Sequence, residues 1–118
     1  MIYIIDDDQY IRRGFGILFK SAGLSCKSFG SAEEFLEDFK PNDNDIIVLD
    51  MHMPNMNGCD LLEHFSRIEL HVPVIVVTAF DEPLSRQCAK NYGALAYLRK
   101  PVDGEALIDL IRYSLKSN

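Results

Sequence analysis

Five short apolar runs, each followed by a stretch of helical spacing, constrain this chain more than any other feature. "IYII" (2–5) and "IIVL" (46–49) are continuous, as strands covered on both faces must be. "LSCKSF" (24–29) alternates and reads as a strand nearer an edge, and "VPVIVV" (72–77) and "LAYL" (95–98) complete the set. Between them, Ile11, Phe15, Leu18, Phe19 and Ala22 recur at helical spacing, with Gly23 placed to end that helix. Ser31 and Glu34 have the spacing of a capping box for a helix carrying Phe35, Leu36 and Phe39. "PNDND" (41–45) is a loop, and the turn "PNMNG" (54–58) precedes a helix with Leu61, Leu62, Phe65 and Ile68 on one face. Leu84, Cys88 and Tyr92 mark a fourth helix, the least apolar. A fifth starts near Asp103 and carries Leu107, Leu110, Ile111 and Leu115.

Five such units predict an α/β domain with a five-stranded parallel sheet and helices on both faces. The doubly wound, flavodoxin-like (βα)5 arrangement with strand order 2-1-3-4-5 and right-handed crossovers suits five units of this size. The 118 residues, 47% hydrophobic, suffice for one domain with its own core, and residues 1–118 are read as that domain. Cys26, Cys59 and Cys88 are odd in number and show no metal-ligand or CxxC spacing, so buried reduced thiols in a cytoplasmic protein are expected. A net charge of −6 argues against direct nucleic-acid binding. "VPVIVVTAF" (72–80) is too short to cross a bilayer, and the N-terminus has neither the basic region nor the cleavage site of a signal peptide, so no membrane association is expected.

The polar residues fall where this fold concentrates chemistry. The first strand runs into Asp6–Asp7, the third into Asp50, the fourth into Thr78 and the fifth into Lys100. Any one of these is what a strand end meeting water would carry. Together they put two acids, a third acid, a hydroxyl and a lysine on one rim, with the first and third strands adjacent at the switch point. Carboxylates about 4 Å apart repel by roughly 4 kcal/mol at an effective dielectric of 20. Such a cluster raises a pKa or recruits a cation, and an all-oxygen set with room for water and phosphate favours magnesium over calcium. A carboxylate between that cation and a lysine is suited to attack phosphorus.

"IIDDDQYIRR", "VLDMHMPNMNG", "VTAF" and "YLRKPVD" together resemble the receiver domain of two-component response regulators, in order and over essentially the whole chain. The resemblance implies a phosphorylation-activated signalling switch rather than an enzyme. Asp50 would accept a phosphoryl group from the phosphohistidine of a histidine kinase or a histidine phosphotransfer protein. Asp7 would bind Mg2+ directly, Asp6 mainly through water, and the backbone carbonyl of His52 would be a further ligand beside Asp50. Thr78 would bond a phosphoryl oxygen, Lys100 would pair with it, and backbone N–H groups of Met51, His52 and Ala79 would complete the cradle. Tyr97 would turn inward with Thr78, changing the face built by the fourth helix, fifth strand and fifth helix. Gly58 matches the glycine after the phosphorylated strand, and the Lys100–Pro101 bond would be cis. A homodimer through that face and a C-terminal DNA-binding output domain are further partners the resemblance implies.

Other signals weigh less. "GFGILF" (14–19) lacks the third glycine of a dinucleotide fingerprint and lies inside a helix. His64 and His71 read as surface histidines, Met51, Met53 and Met56 as packing over the third helix, and Arg12 and Arg13 as a solvated face. Asp8 reads as the N-cap of the first helix or as a first-turn acid complementing its dipole. Two rivals remain: a phosphatase with an aspartyl-phosphate intermediate, for which Asp6–Asp7–Asp8 supplies a DxD but Tyr10 breaks the motif, and a receiver-like binding module that is never phosphorylated.

Overall fold

In a computed structural model describing residues 1–116, five strands and five helices alternate. They are β1 (Ile2–Ile5), α1 (Gln9–Ser21), β2 (Cys26–Phe29), α2 (Ala32–Asp38), β3 (Ile46–Asp50), α3 (Gly58–Arg67), β4 (Val74–Thr78), α4 (Pro83–Asn91), β5 (Ala96–Arg99) and α5 (Gly104–Lys116). All pairings are parallel and the order is β2-β1-β3-β4-β5, as the sequence predicts. The chain leaves β1 toward β2 on one side and returns to β3 on the other, so the switch point lies between β1 and β3.

The strands are apolar on both faces because each face carries its own core. Ile5, Leu49 and Val76 point to one side, where they meet Phe35 of α2, Leu61, Leu62 and Phe65 of α3, and Cys88 and Ala89 of α4. Ile4, Val48 and Val77 point to the other, against Phe19 of α1 and Leu107, Ile108 and Ile111 of α5. Phe35 is fully buried and touches Tyr3, Phe29, Phe39 and Phe65 ring to ring. Burial of such a side chain contributes about 2 kcal/mol.

Helix starts explain how the strand ends are aimed. The Asp8 carboxylate caps α1 by accepting from the N–H of Tyr10 and Ile11, which turns the chain sharply after Asp6–Asp7. Gly23 ends that helix at φ 74°, as the sequence indicates. Ser31 caps α2, but only half of the predicted capping box forms: Glu34 accepts from the N–H of Gly30 instead of that of Ser31. A complete capping box, which sequence reading missed, joins Asn57 and Asp60 at the start of α3. Of the three residues that marked α4, only Cys88 is buried. Leu84 is 83% exposed and Tyr92 is the half-exposed C-cap.

The cysteine expectation is overturned. Cys59 and Cys88 form a disulfide with Cα atoms 6.1 Å apart, and Cys26 is the free thiol, only partly buried. The two positions lie 29 residues apart in sequence, so no local spacing announces them. They meet because α3 and α4 lie side by side on one face of the sheet and both positions turn toward the shared core. Arg12 also departs from its predicted solvated face: its guanidinium reaches back to the Asp6 carbonyl at 2.7 Å. Among the described residues, no helix is long and apolar enough to cross a membrane.

Candidate functional site

The rim at the carboxyl ends of β1, β3, β4 and β5 gathers the residues singled out above. Asp6 follows β1 and is 1% exposed, Asp50 closes β3 at 4%, and Thr78 closes β4 fully buried. Asp7 stands beside them in solvent. Asp6, Asp7 and Asp50 each offer a carboxylate oxygen, and these oxygens lie within 4.8 Å of one another. Lys100 reaches in from the far side. Its ammonium donates to Asp6 Oδ2 at 2.8 Å and lies 3.6 Å from Asp50 Oδ1.

The two buried acids are held differently. Both oxygens of Asp6 are engaged, Oδ1 by the N–H of Asp8 at 3.0 Å and Oδ2 by Lys100, while Arg12 fastens its carbonyl. Asp50 is held through Oδ1 at longer range, by the N–H of His52 at 3.3 Å and by Lys100. Burial, then the charge of Asp6 and more weakly that of Asp7, push the Asp50 carboxyl up to about 6, against the lowering effects of Lys100 and the His52 N–H. At Lys100, burial favours the neutral amine, but the hydrogen bond to Asp6 and the charges of Asp50 and Asp6 outweigh it and raise the pKa. Asp50 is thus a carboxylate at neutral pH that binds a proton readily in an acidic, crowded pocket.

The β3–α3 connection fits tightly under this cluster. The N–H of Gly58 donates to the Met51 carbonyl, and a Cβ at Gly58 would stand 2.7 Å from the Asp50 carbonyl oxygen. Any larger residue would push directly on the backbone of Asp50. Met51 and Met53 are buried against the α3-side core and Met56 packs at its margin, as expected.

Thr78 is placed on the rim, but its hydroxyl is engaged locally. It donates to the Phe80 carbonyl at 3.1 Å and accepts from the Phe80 N–H at 3.2 Å. Ala79 and Phe80 are exposed. The Phe80 ring meets the His52 ring edge-on, with centroids 5.4 Å apart, so the two side chains form one cover beside Asp50, and His52 Nε2 is out of water without a hydrogen-bond partner. Tyr97 lies partly buried on the α4 side of β5, with the Arg86 guanidinium 5.8 Å from its ring centre. Its hydroxyl is out of water and makes no hydrogen bond of ordinary geometry. Burial, with the Asp81 charge second, raises its pKa. The Lys100–Pro101 bond is cis, and Arg99 is exposed.

Fold and rim define a doubly wound α/β domain with an acidic oxygen-donor pocket at its switch point. The chain belongs to the response regulator receiver domain family, whose model matches residues 2–112. It is 33% identical over 112 residues to Nodulation protein W of Bradyrhizobium diazoefficiens, covering 94% of this chain and 49% of that protein. It is 37% identical to the transcriptional regulatory protein FixJ of Azorhizobium caulinodans, covering 97% of this chain and 54% of the relative. Among solved structures, the response regulator StyR superposes with a TM-score of 0.89 at 36% identity, over 99% of this chain and 59% of that one. A CheY-like receiver domain from Methanospirillum hungatei superposes with a TM-score of 0.86 at 26% identity, over 98% and 93%. The chain spans about half the length of these curated relatives. It is a phosphorylation-dependent signalling domain of the two-component type.

The donor set fits the magnesium ion that receiver domains bind. Three carboxylates converge from two adjacent strands, and ligand oxygens on one ion with bonds of about 2.1 Å lie within about 4.2 Å of one another.

Proposed function

We propose that residues 1–118 form a receiver in which Asp50 accepts a phosphoryl group from the phosphohistidine of a histidine kinase or histidine phosphotransfer protein. The observation that carries this reading is the convergence of Asp6, Asp7 and Asp50 within 4.8 Å, with the Lys100 ammonium 3.6 Å from Asp50. An Asp50 carboxylate oxygen attacks phosphorus, the P–N bond breaks, and the imidazole leaves with the electron pair. Lys100 holds the phosphoryl oxygens, and the N–H groups of His52, Met51 and Ala79 direct their dipoles at the developing charge. Asp6 and Asp7, with Asp50 and the His52 carbonyl, would hold Mg2+, which when bound neutralises phosphoryl charge. Asp6 is a poor nucleophile because both its oxygens are occupied, which favours Asp50 over the phosphatase alternative.

The new acyl phosphate adds about −1.5 to −2 charges. To bond it, the Thr78 hydroxyl must leave Phe80, and the β4–α4 loop moves with it. Tyr97 and Arg86 lie next in line, so the α4–β5–α5 face is the output surface. Its partner is a second copy of the chain or a DNA-binding domain C-terminal to it, in keeping with relatives named as transcriptional regulators.

Acetyl phosphate with MgCl2 tests this, read by intact mass and peptide mapping. One added phosphoryl group on Asp50, lost in Asp50→Asn and without Mg2+, is the expected result. Label on Asp6 returns the reading to a phosphatase, and no label at all to a binding module.

A further inference from the structure

The Cys59–Cys88 bond stands at a place where a covalent link has consequences. Cys59 is the second residue of α3, one past Gly58, whose backbone presses against Asp50. Cys88 is 7% exposed and belongs to the pair, with Ala89, that anchors α4 to the core. The bond therefore ties the helix that follows the Asp50 strand to the helix that follows the Thr78 strand. The loop it closes, between positions 29 apart in sequence, contains all of β4, Thr78 and Phe80. Without it, α4 is held lightly: its N-cap Glu82 makes no side-chain cap bond, and Leu84 in its first turn is exposed.

We propose that Cys59 and Cys88 are a reversible dithiol–disulfide site that reacts with low-molecular-weight disulfides and, when oxidised, restrains α4 and disfavours the phosphorylated conformation. The coupling rests on the reading of Asp50 as phosphoacceptor; the thiol chemistry does not. Cys59 reacts first because it is the more exposed of the two and sits in the first turn of α3, where the helix N-terminus favours a thiolate. Its thiolate attacks the small disulfide and releases one thiolate, which takes up a proton. The Cys88 thiolate then attacks Cys59 Sγ, closing the protein disulfide and releasing the second small thiol. Two protein thiols are oxidised and one small disulfide is reduced to two thiols. Disulfides of proteins in reducing compartments are commonly transient and sensing, which suits a bond that spans a switch rather than a core. Oxidation keeps α4 where the Thr78 hydroxyl bonds Phe80, so it opposes the move toward a phosphoryl group.

The test equilibrates the reduced protein in glutathione buffers of graded ratio, then alkylates and weighs it. Oxidising buffers are expected to protect two cysteines, mapped to Cys59 and Cys88, and to leave Cys26 reactive. The affinity for beryllofluoride with Mg2+, a non-covalent phosphoryl mimic, is then measured in both states. The oxidised form is expected to bind about fivefold more weakly or worse, and saturating beryllofluoride to shift the half-oxidation ratio by the same factor, as linkage requires. Cys59→Ser and Cys88→Ser should behave as reduced protein in every buffer, and Cys26→Ser as wild type. Failure of oxidised glutathione to protect the pair overturns the thiol site. Equal affinity in the two states overturns the coupling and leaves Asp50 standing as acceptor. No binding in either state, together with no phosphorylation by acetyl phosphate, sinks the phosphoacceptor reading and the coupling with it.

Discussion

The surroundings of Asp6 and of Thr78 on the rim are held in different ways. Around Asp6, the N–H of Asp8 and the Arg12 side chain at the start of α1, and Lys100 after β5, hold both carboxylate oxygens and the carbonyl, and Lys100 cannot leave without stranding a buried charge. Beside β4, the Thr78 hydroxyl bonds only the backbone of Phe80 two residues on, and the helix that follows has no side-chain cap. The first side is built for fixed positioning of charge. The second can change partners at low cost, since its bonds are local and its outward residues, Phe80 and Leu84, face solvent. In the proposed function this difference separates chemistry from signalling: the fixed part would hold the phosphoryl group and the other would register its arrival.

Lys100→Met should break the fixed side and give the largest effect. It leaves the buried Asp6 without its cation and removes the ammonium 3.6 Å from Asp50. Phosphorylation by acetyl phosphate should fall by about 100-fold, the usual cost of losing one charge-stabilising donor. Urea unfolding at pH 7 should show a loss of about 3 kcal/mol. A loss below about 1 kcal/mol would mean that the Asp6–Lys100 bond is not what fixes this side.

Thr78→Val should break the other side with a smaller structural cost. The side-chain volume is kept and one local hydrogen-bond pair is lost, for about 1 kcal/mol. Asp50 should still be phosphorylated, but hydrogen exchange across residues 80–98 should no longer respond to it. If that segment responds as in wild type, Thr78 is not the link.

The acidity of Asp50 sharpens the comparison further. Its carboxyl is raised from 3.8 to about 6 in the fold, so the folded state holds the proton more tightly than the unfolded chain. The contribution of this group to stability is complete below about pH 4 and is lost as pH rises through 6. In metal-free buffer, Asp50→Asn should match wild-type stability near pH 4 and exceed it above pH 6, with the gap opening between. A gap independent of pH would show that burial and the charges of Asp6 and Asp7 are not what raise the group.

The sequence made the fixed side legible because the periodicity of each element places its last residue. Asp6, Asp50, Thr78 and Lys100 are read at strand ends simply because apolar runs stop there, and the 2-1-3-4-5 order then brings those ends together. Helical phase and packing are harder. The Arg12 contact is hidden because nothing in "YIRR" says that a side chain of the first turn of α1 reaches back to the Asp6 carbonyl. The disulfide was missed because only the side-by-side packing of α3 and α4 joins positions 29 residues apart. The orientation of the Thr78 hydroxyl is likewise set by a turn two residues on, a matter of backbone geometry that residue type does not record.

The smallest expected effect falls on the cover over the pocket. Phe80 is 61% exposed yet rests edge-on against His52 beside Asp50, so it contributes little to the core, and in the proposed function it would screen the acyl phosphate from water. Phe80→Glu should leave stability within about 0.5 kcal/mol, as for most surface replacements. Autodephosphorylation should nevertheless speed up, because the carboxylate removes an apolar barrier and can orient the attacking water. Timing the loss of label from both proteins with the same Mg2+ checks this. Equal rates would assign the cover to His52 alone. A faster mutant with unchanged stability would place control of the signal's lifetime on the movable side of the rim, apart from the bonds that fix its chemistry.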